Sequence, residues 1–544
     1  MSNAKFVAPQ PLNEVVRSYA AQSAEKQQLK SELAHQSATV AEIPLVIGGE
    51  RSMGKTQKNL TCPHQKSKIL AKTAQGGRAE ALAAVDASVR ARAEWAALPW
   101  EERAAVFLKA ADLLAGRARQ RMNAATMLGQ SKTVFQAEID SACELIDFFR
   151  FNAHFAQRIY EEQPFSPAGQ WNRSVARGLE GFVYAVTPFN FTSIAVNLPA
   201  APALMGCSVV WKPAATSMLS SLVGLEVLEE AGLPPGVINL VSGDAAEISD
   251  VVLNHRELSG IHFTGSTETF NRLWQTVGNN LSKYRCYPRL VGETGGKDFV
   301  FAHASADVDS LVTALVRGAF EYQGQKCSAA SRAYIPRSLW PKVRDQLVAT
   351  TESLKMGDPG DFTNFLGAVI DERAYNRIKS YIDHAKSNAG EASILVGGQC
   401  DSTNGWFIRP TIIEAKSPTY KSMVEEIFGP VLTVYVYDDA RFEETIELCD
   451  SSTPYALTGA VFARDRRVVH HMTRALENAA GNFYINDKPT GAVVGQQPFG
   501  GGRASGTNDK AGSIFNLLRW VSYRTIKENF HPITDYRYPF MLES

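Results

Sequence analysis

The sequence carries no excess charge of either sign, since its 544 residues include 56 Lys and Arg and 56 Asp and Glu. A dedicated nucleic-acid binder needs a positive field to collect phosphates, and this balance argues against one. The chain also lacks internal repeats and low-complexity tracts, and its 45% hydrophobic and 21% charged residues are ordinary for globular proteins. A chain of this length therefore has enough apolar residues for a large folded core.

Cysteine is sparse and is not arranged for metal binding. There are seven cysteines, an odd number, with no CxxC pair and no ligand-like spacing to histidine. This pattern predicts a reducing compartment, no structural zinc and no other metal site.

No stretch of the chain has the uninterrupted apolar character of a membrane span. The longest run without Asp, Glu, Lys or Arg, residues 181–211, contains Pro188, Pro199 and Pro202, so it is predicted to be a buried core segment. The first residues resemble neither a signal peptide nor an Arg-rich presequence. We therefore expect a cytoplasmic protein, or a protein of the mitochondrial matrix if this is a mature eukaryotic chain.

Strand and helix patterns alternate through the middle of the chain. The strands are continuous apolar runs, which is typical of strands covered on both faces. The fold class predicted is therefore α/β, with a doubly wound, Rossmann-type parallel sheet. The predicted elements are a helical region at 77–155, a polar stretch at 161–177, strands at 182–186, 209–212, 237–241 and 261–263, and a helix at 217–231.

A second α/β unit is predicted after residue 290, with strands at 299–301, 431–436 and 460–462 and a helix at 311–320. Near the C-terminus, residues 526–541 are aromatic, contain proline and show no helical period. Such a segment suits an arm on a partner subunit, or equally a surface strand of its own domain.

Two residues in glycine-containing loops are candidates for covalent and acid–base chemistry. Cys327 lies in YQGQKCS, a polar loop expected to be exposed, where a buried structural cysteine is not expected. Glu293 lies in LVGETGGK, where desolvation would raise its pKa and suit it to act as a general base. The ordinary alternatives are a small core cysteine and a helix-capping or surface glutamate.

A third candidate, Asn190, lies in TPFNF inside the long uncharged run. A buried amide is costly there unless it has a hydrogen-bond partner or stabilises a developing oxyanion.

These three segments, with WKPA at 211–214, FTGS at 263–266 and EIFGP at 426–430, resemble the aldehyde dehydrogenase superfamily from about residue 44 to residue 527. The six motifs follow the family's order, and Glu293 and Cys327 are 34 residues apart. The run at 484–510, which includes GQQPFGG and ASGTNDK, is similar to the branch that oxidises L-glutamate γ-semialdehyde to L-glutamate in proline catabolism.

The resemblance implies a covalent mechanism. Cys327 would attack the aldehyde as a thiolate to form a hemithioacetal, whose oxyanion is held by the Asn190 side chain and the Cys327 backbone N–H. After hydride transfer to NAD, water deprotonated by Glu293 would hydrolyse the thioester.

The resemblance also implies an NAD site that has no GxGxxG motif. Lys212 would contact the adenosine ribose, the turn at 265–269 the diphosphate, and Glu426 the nicotinamide ribose. Many NAD-dependent relatives carry an acidic residue three positions after the motif lysine, but this chain has Ala215, so NAD is expected and NADP is less excluded than usual. The expected cofactor residues are Lys212, Gly265, Ser266, Thr267, Glu268, Thr269, Glu426 and Phe428.

For the substrate, the resemblance implies a carboxylate site and an aromatic pair. The backbone N–H groups of Gly491 and Ala492 and the hydroxyl of Ser328 would bind the α-carboxylate. Phe191 and Phe499 would flank the aliphatic chain. Core packing is the alternative for both rings, and it is nearly as good an interpretation for Phe191.

The domain organisation implied is an NAD-binding domain at 40–162 and 183–291 and a catalytic domain at 292–490. An oligomerisation hairpin at 163–182 and a C-terminal arm at 520–544 would complete the chain. A homodimer or higher homo-oligomer is expected, and a transient contact with a proline-oxidising enzyme stays open.

Three other functions remain at this point: an aldehyde dehydrogenase for another aldehyde, a catalytically idle NAD-binding relative, and a CoA-acylating relative. The presence of Cys327, Glu293 and Asn190 together argues against an idle relative. A CoA-acylating enzyme does not need the base, so Glu293 argues against that function too.

Overall fold

Two seven-stranded sheets organise the chain in a computed structural model that describes residues 5–542. In the first sheet five parallel strands are extended by an antiparallel hairpin at one edge. Each of the four strands predicted at 182–263 overlaps an observed strand, so the predicted parallel α/β sheet is confirmed. From edge to edge the strands are Arg289–Glu293, Leu258–Thr264, Phe182–Val186, Ser208–Lys212, Ile238–Leu240, Leu45–Ile47 and Glu50–Ser52.

The chain order reverses between two neighbouring strands of this first sheet. After Phe182–Val186 the next two strands add to one side, and Leu258–Thr264 then returns to the other side. In open α/β sheets ligands bind in the crevice outside the carboxyl ends of such a pair. The loop that carries Asn190 and the turn that begins at Gly265 follow these two strands.

The second sheet has six parallel strands and one antiparallel edge strand. Its central strand Asp298–Ala302 is buried on both faces, because Phe299 and Phe301 pack into one core cluster and Val300 and Ala302 into another. From edge to edge the strands are Ala392–Val396, Thr411–Ala415, Val431–Tyr437, Ala330–Pro336, Asp298–Ala302, Thr458–Phe462 and Asn482–Ile485.

The carboxyl ends of the first sheet and the amino ends of the second sheet meet. Glu293 is the last residue of a first-sheet strand, and Asp298 begins a second-sheet strand five residues later. Cys327 precedes the second-sheet strand that begins at Ala330. The candidate residues therefore lie at the junction of the two sheets.

Helices cover both sheets, and the Ala-rich region predicted at 77–155 forms several of them. No helix among residues 5–542 is both long and apolar enough to cross a lipid bilayer. Three helices are short, Val134–Ala137, Lys421–Val424 and Ile514–Leu518. The longer ones are Ala24–Ala38, Arg78–Ala97, Trp100–Ala115, Arg119–Gln130, Glu144–Glu161, Thr192–Leu204, Met218–Ala231, Ala245–Leu253, Thr267–Asn279, Val308–Phe320, Trp340–Ser353, Glu372–Ser387, Phe442–Ser451 and Arg466–Ala475.

A two-stranded ribbon lies outside both sheets. Strand Gln170–Gly178 pairs antiparallel with Val521–Asn529 over nine residue pairs. The segment expected as a hairpin thus contributes one strand, and the expected C-terminal arm contributes its partner. Residues 543 and 544 of that arm lie outside the described residues.

The remaining strands form small units. Strands Ala41–Ile43, Gln65–Gln75 and Thr56–Cys62 make a three-stranded sheet, and two pairs have two residues a strand, Cys400–Asp401 with Phe407–Ile408 and Tyr455–Ala456 with Gly502–Arg503.

Candidate active site

Asn190 lies in the loop between strand Phe182–Val186 and helix Thr192–Leu204, and only 4% of it is exposed. Its Nδ2 donates a hydrogen bond to the backbone carbonyl of Gln325, with an N–O distance of 3.1 Å. This bond uses one of the two amide hydrogens. Because Gln325 is two residues before Cys327, the bond places a neutral donor beside the cysteine loop.

Glu293 is half-buried at the end of its strand, with its carboxyl group turned inward. Its Oε2 accepts a hydrogen bond from the backbone N–H of Gly501 at 3.2 Å. Burial raises the pKa of the Glu293 carboxyl well above its usual range, whereas the Gly501 N–H and the ammonium of Lys510 act in the opposite direction. The upward direction is the one that the sequence predicts, and it suits a group that takes a proton from water near neutral pH.

Cys327 faces three carboxyl groups. Burial raises the pKa of the Cys327 thiol well above its usual range, and the negative charges of Asp298, Glu293 and Glu426 raise it further. Its own backbone N–H acts in the opposite direction, because it stabilises negative charge at that point. The thiol is therefore held protonated in the resting protein, and the N–H is placed to stabilise charge that develops beside it.

The loop that carries Cys327 is largely buried. The prediction of an exposed loop, made from its polar sequence, is therefore wrong. Gln323 and Gln325 are fully buried. Gln323 Nε2 donates to the carbonyl of Ala368 at 2.7 Å, and Gln325 Oε1 accepts from the N–H of Ile370 at 2.9 Å. Buried polar side chains are tolerated when they are hydrogen-bonded, so the polar residues of this loop fix its position inside the protein.

Glu426 and Gly296 join the loops on either side of the cysteine. Glu426 Oε1 accepts a hydrogen bond from the backbone N–H of Gly296 at 2.8 Å, and burial raises the pKa of the Glu426 carboxyl. A side chain on Gly296 would overlap the backbone carbonyl of Cys327. The glycine therefore permits the loop after Glu293 to approach the cysteine loop closely.

Phe428 lies on the same side of the junction as Asn190. Its backbone is left-handed, with φ of 57°, which is uncommon for a bulky residue. Its ring meets the ring of Phe189 edge to face, with centroids 6.0 Å apart. The predicted cofactor loop thus contacts the loop that positions Asn190.

The turn after strand Leu258–Thr264 has the features of an anion-binding helix N-terminus. Ser266 caps helix Thr267–Asn279, and its hydroxyl accepts a hydrogen bond from the N–H of Thr269 at 3.3 Å. A Cβ on Gly265 would lie 2.7 Å from the Phe263 ring, so only glycine fits at this position. Its backbone is therefore not covered by a side chain of its own. Backbone N–H groups and the helix dipole favour a phosphate at such a turn.

Two other members of the predicted diphosphate turn differ in their surroundings. Thr267 Oγ1 accepts from the N–H of Gly295 at 3.3 Å, which ties the turn to the loop after Glu293. Glu268 is exposed. Its carboxylate would repel a diphosphate, so its contribution to such a site would come from its backbone N–H.

Lys212 is the last residue of strand Ser208–Lys212, at the carboxyl ends of the first sheet. Burial lowers the pKa of its ammonium, and Asp244 opposes this shift. The backbone carbonyl of Lys212 accepts from the N–H of Thr187 at 3.2 Å, which links the lysine to the loop of Asn190. Ala215 is exposed nearby and offers no acidic group to a ribose.

Ser328 meets the loop that contains Gly491. The hydroxyls of Ser328 and Thr490 are hydrogen-bonded at 2.8 Å, and Lys488 Nζ donates to the carbonyl of Thr490 at 2.9 Å. A Cβ on Gly491 would lie 2.6 Å from Lys488 Nζ. A carboxylate bound by the N–H groups of Gly491 and Ala492 would therefore lie close to an ammonium group that sequence reasoning missed.

Phe191 packs against ammonium groups. Lys132 Nζ lies 4.4 Å and Lys326 Nζ 5.9 Å from the ring centroid. Both ammonium groups are near Asp140, with N–O distances of 2.5 and 3.8 Å. Glu144, whose pKa burial raises to about 8, accepts a hydrogen bond from the Ser193 hydroxyl. Lys132, Asp140 and Glu144 were missed, because they lie in an Ala-rich helical region that predicts only packing.

Phe499 lies in a different loop from Phe191. Its backbone N–H and carbonyl bond to Ala511, with N–O distances of 3.0 and 2.7 Å. Gly501, which donates to Glu293, is two residues away. The loop of Phe499 therefore reaches the base, and its half-buried ring is held next to the junction of the two sheets.

The arrangement brings a thiol, neutral hydrogen-bond donors and a carboxyl group of raised pKa to one place. A thiol can attack a carbonyl carbon, donors can stabilise the oxyanion, and a carboxylate can activate water against an acyl-enzyme. The site can thus carry out attack on an aldehyde or acyl group followed by hydrolysis.

Comparison with known proteins gives consistent matches over almost the whole chain. Residues 51–526 match the profile of the Aldehyde dehydrogenase family. The chain is 54% identical over 539 residues to "Delta-1-pyrroline-5-carboxylate dehydrogenase, mitochondrial" of Dictyostelium discoideum, covering 98% of this chain and 96% of that one.

Solved structures agree. The delta-pyrroline-5-carboxylate dehydrogenase of Mycobacterium tuberculosis bound with NAD superposes with a TM-score of 0.96 at 54% identity, over 100% of both chains. The 1-pyrroline-5-carboxylate dehydrogenase of Thermus with bound NAD has a TM-score of 0.89 at 32% identity, over 97% of this chain and 100% of that one.

Proposed function

The chain belongs to the aldehyde dehydrogenase family, and we propose that it oxidises L-glutamate γ-semialdehyde to L-glutamate with NAD, as a step of proline catabolism. The observation that carries the choice of substrate is the loop beside the nucleophile. Ser328, the residue after Cys327, is bonded to Thr490, next to Gly491 and Lys488. These groups suit a carboxylate at a short distance from a reacting aldehyde.

In the first half of the reaction, the thiol of Cys327, which is partly exposed, gives its proton to solvent water. The thiolate attacks the aldehyde carbon, and the carbonyl oxygen becomes an alkoxide. The free hydrogen of the Asn190 amide and the backbone N–H of Cys327 stabilise that oxygen. NAD bound at the first sheet would supply the acceptor for the hydride of that carbon. A thioester to Cys327 then remains.

In the second half, Glu293 takes a proton from water, which attacks the thioester carbon. The Cys327 sulfur leaves and the carboxylic acid is released. The raised pKa of Glu293 makes the carboxyl a stronger base than an exposed glutamate. The buried position beside Gly501 keeps its carboxylate aimed at the same junction.

The residues at the carboxyl ends of the first sheet fit a dinucleotide. The bare backbone at Gly265 and the capped helix that begins at Thr267 suit the diphosphate. Lys212 and Glu426 would hold the two riboses, with Phe428 beside Glu426. The relatives whose structures contain NAD support this choice of cofactor.

The charges near Phe191 suit an amino-acid substrate. Glutamate γ-semialdehyde carries an ammonium and a carboxylate, and it needs both signs of charge around it. Lys132 and Lys326 are ammonium groups that contact Phe191, and Asp140 is a carboxyl group close to both. Lys488 is an ammonium group beside Gly491. Phe191 and Phe499 would flank the methylene groups between the two charged ends.

We predict that the unmodified enzyme prefers glutamate γ-semialdehyde to propanal by about a hundredfold in kcat/KM. Hydrogen bonds to a charged group contribute roughly 1.5–3 kcal/mol each, and they are not fully additive. Steady-state NADH formation with both aldehydes measures the ratio. Equal kcat/KM for the two aldehydes would refute the proposed substrate. The protein would then be an aldehyde dehydrogenase of a different specificity.

Two variants locate this preference. Ser328→Ala removes one donor, and Gly491→Val places a branched side chain where Lys488 Nζ lies. Each should raise KM for the semialdehyde and leave the kcat/KM for propanal within about twofold. An equal loss of kcat/KM on both aldehydes would show that these two residues do not form the carboxylate site.

We also propose the domain roles implied by the resemblance. The NAD-binding domain would comprise residues 40–162 and 183–291, and the catalytic domain residues 292–490. Strands Gln170–Gly178 and Val521–Asn529 would form the oligomerisation ribbon of a homodimer. Large apolar side chains that follow the ribbon support a partner, since Ile533 and Phe540 are about 85% exposed.

Deletion of residues 535–544 should weaken this association at least about tenfold, because exposed aromatic surface would lose its contacts. Light scattering over a concentration series measures the mass. The midpoint of thermal unfolding should stay unchanged at concentrations where both proteins are monomeric, since residues 535–542, the part of this segment that the structure describes, lie outside both sheets. A monomeric mass for the intact chain at all concentrations would contradict the proposed dimer.

The free cysteines support a reducing compartment. We propose the cytoplasm, or the mitochondrial matrix in a eukaryote. We also propose a transient contact with the enzyme that oxidises proline, because the aldehyde is reactive and such a contact would limit its release into solvent.

A further inference from the structure

Residues 8–17 form an N-terminal strap along helix Glu144–Glu161. The backbone N–H of Ala8 bonds to Gln157 Oε1 at 2.6 Å, and the N–H of Glu14 bonds to Asp147 Oδ1 at 2.7 Å. At the far end, the N–H of Arg17 bonds to Glu138 Oε1 at 2.9 Å. The strap is thus fixed by side chains of the helical region along its length, although it has no regular structure.

Asn13 connects this strap to the loop that contains Gly491. Its Nδ2 donates both to Asp147 Oδ2 and to the backbone carbonyl of Val494, each at 2.8 Å. Its Oδ1 accepts from Gln496 Nε2, also at 2.8 Å. One half-buried amide therefore spans from helix Glu144–Glu161 to two residues of the loop.

The loop itself, residues 490–497, has few other fixed points. Val494 is buried, and a side chain on Gly495 would overlap the ring of Phe151 on the same helix. At the other end, Thr490 bonds to Ser328. The stretch between these ends carries the N–H groups of Gly491 and Ala492, so its position depends on how both ends are held.

We propose that Asn13 is a positioning residue for substrate selection, and that the strap holds residues 490–497 in the conformation that binds the substrate carboxylate. Asn13 acts through the backbone of Val494, three residues from Gly491, and does not contact the reacting atoms. The inference rests on the proposed carboxylate site. Its structural part, the anchoring of the loop by Asn13, stands on the hydrogen bonds alone.

The test compares Asn13→Ala and Gln496→Ala with a matched control, Asn388→Ala. Asn388 is also half-buried, and its amide bonds only to Ser387 and His384 at the end of its own helix. Asn13→Ala should raise KM for glutamate γ-semialdehyde about tenfold, with kcat and the kcat/KM for propanal within about twofold. Gln496→Ala removes one exposed bond and should raise KM about twofold to threefold. The control should change neither.

Hydrogen–deuterium exchange gives a readout that needs no substrate. Amide exchange in residues 490–497 should become about tenfold faster in Asn13→Ala, while exchange in the two sheets stays unchanged. An unchanged loop in that variant, or a KM that does not rise in an enzyme that does prefer the semialdehyde, overturns the inference. A third outcome is faster loop exchange in an enzyme that shows no preference for the semialdehyde. Asn13 would then still anchor the loop, but its role in substrate selection and the proposed substrate would both be refuted.

Discussion

Replacing Cys327 with alanine should lower aldehyde oxidation at least about 10⁴-fold and leave the affinity for NAD within about twofold. The thiol supplies the covalent bond that holds the substrate through hydride transfer and hydrolysis, and alanine cannot form it. The proposed cofactor contacts come from other residues, such as Lys212 and Glu426. NADH absorbance measures turnover, and quenching of protein fluorescence measures cofactor binding.

Cys400→Ala is the matched control, because Cys400 is also free and half-buried and lies in a small hairpin outside the junction of the sheets. Its turnover should equal that of the unmodified protein. If Cys327→Ala retained more than about 1% of turnover, the covalent route would be excluded. If it lost NAD affinity as well, the thiol would have a part in the cofactor site.

The strands around the site are predictable from sequence because their local pattern is strong. Residues 182–186 are a continuous apolar run that ends before Pro188, and the structure has the strand Phe182–Val186. The neighbours of a strand are not encoded locally, since a pattern gives the element and not its partner. The reversal of strand order beside Leu258–Thr264 therefore becomes visible only in the fold.

The candidate residues were located by motifs, and their surroundings were not. Cys327 was expected in an exposed loop because its neighbours are polar. Gln323 and Gln325 instead form internal hydrogen bonds, and a polar sequence does not distinguish these two situations. The burial of Glu293 was predictable, since it lies among glycines at the end of an apolar strand.

Two groups of residues gave no signal in the sequence. Lys132 and Lys488 would each be interpreted as surface residues, and only tertiary contacts place their ammonium groups beside Phe191 and Gly491. Asn13 lies in a segment without hydrophobic periodicity. That segment is held by hydrogen bonds to distant side chains, which periodicity does not report.

Replacing Glu293 with glutamine should lower steady-state turnover about 10²–10⁴-fold, the usual effect of removing a general base. The loss should fall on hydrolysis, because the amide has the size of the carboxyl but cannot take a proton from water. Attack by Cys327 and hydride transfer do not need that proton transfer. A rapid burst of NADH equal to about one per active site should therefore remain in stopped-flow measurements, followed by very slow turnover.

The dependence on pH separates this role from a structural one. In the unmodified enzyme Glu293 is protonated below its raised pKa and cannot act as a base, so kcat should rise with pH through that pKa. This rise should disappear in Glu293→Gln, whose residual turnover depends on solvent hydroxide alone. Glu414→Gln, at the opposite end of a second-sheet strand, is the control and should retain both turnover and the pH profile. Loss of the burst together with turnover would mean that Glu293 acts before hydrolysis, most directly by taking the proton of the Cys327 thiol that it faces.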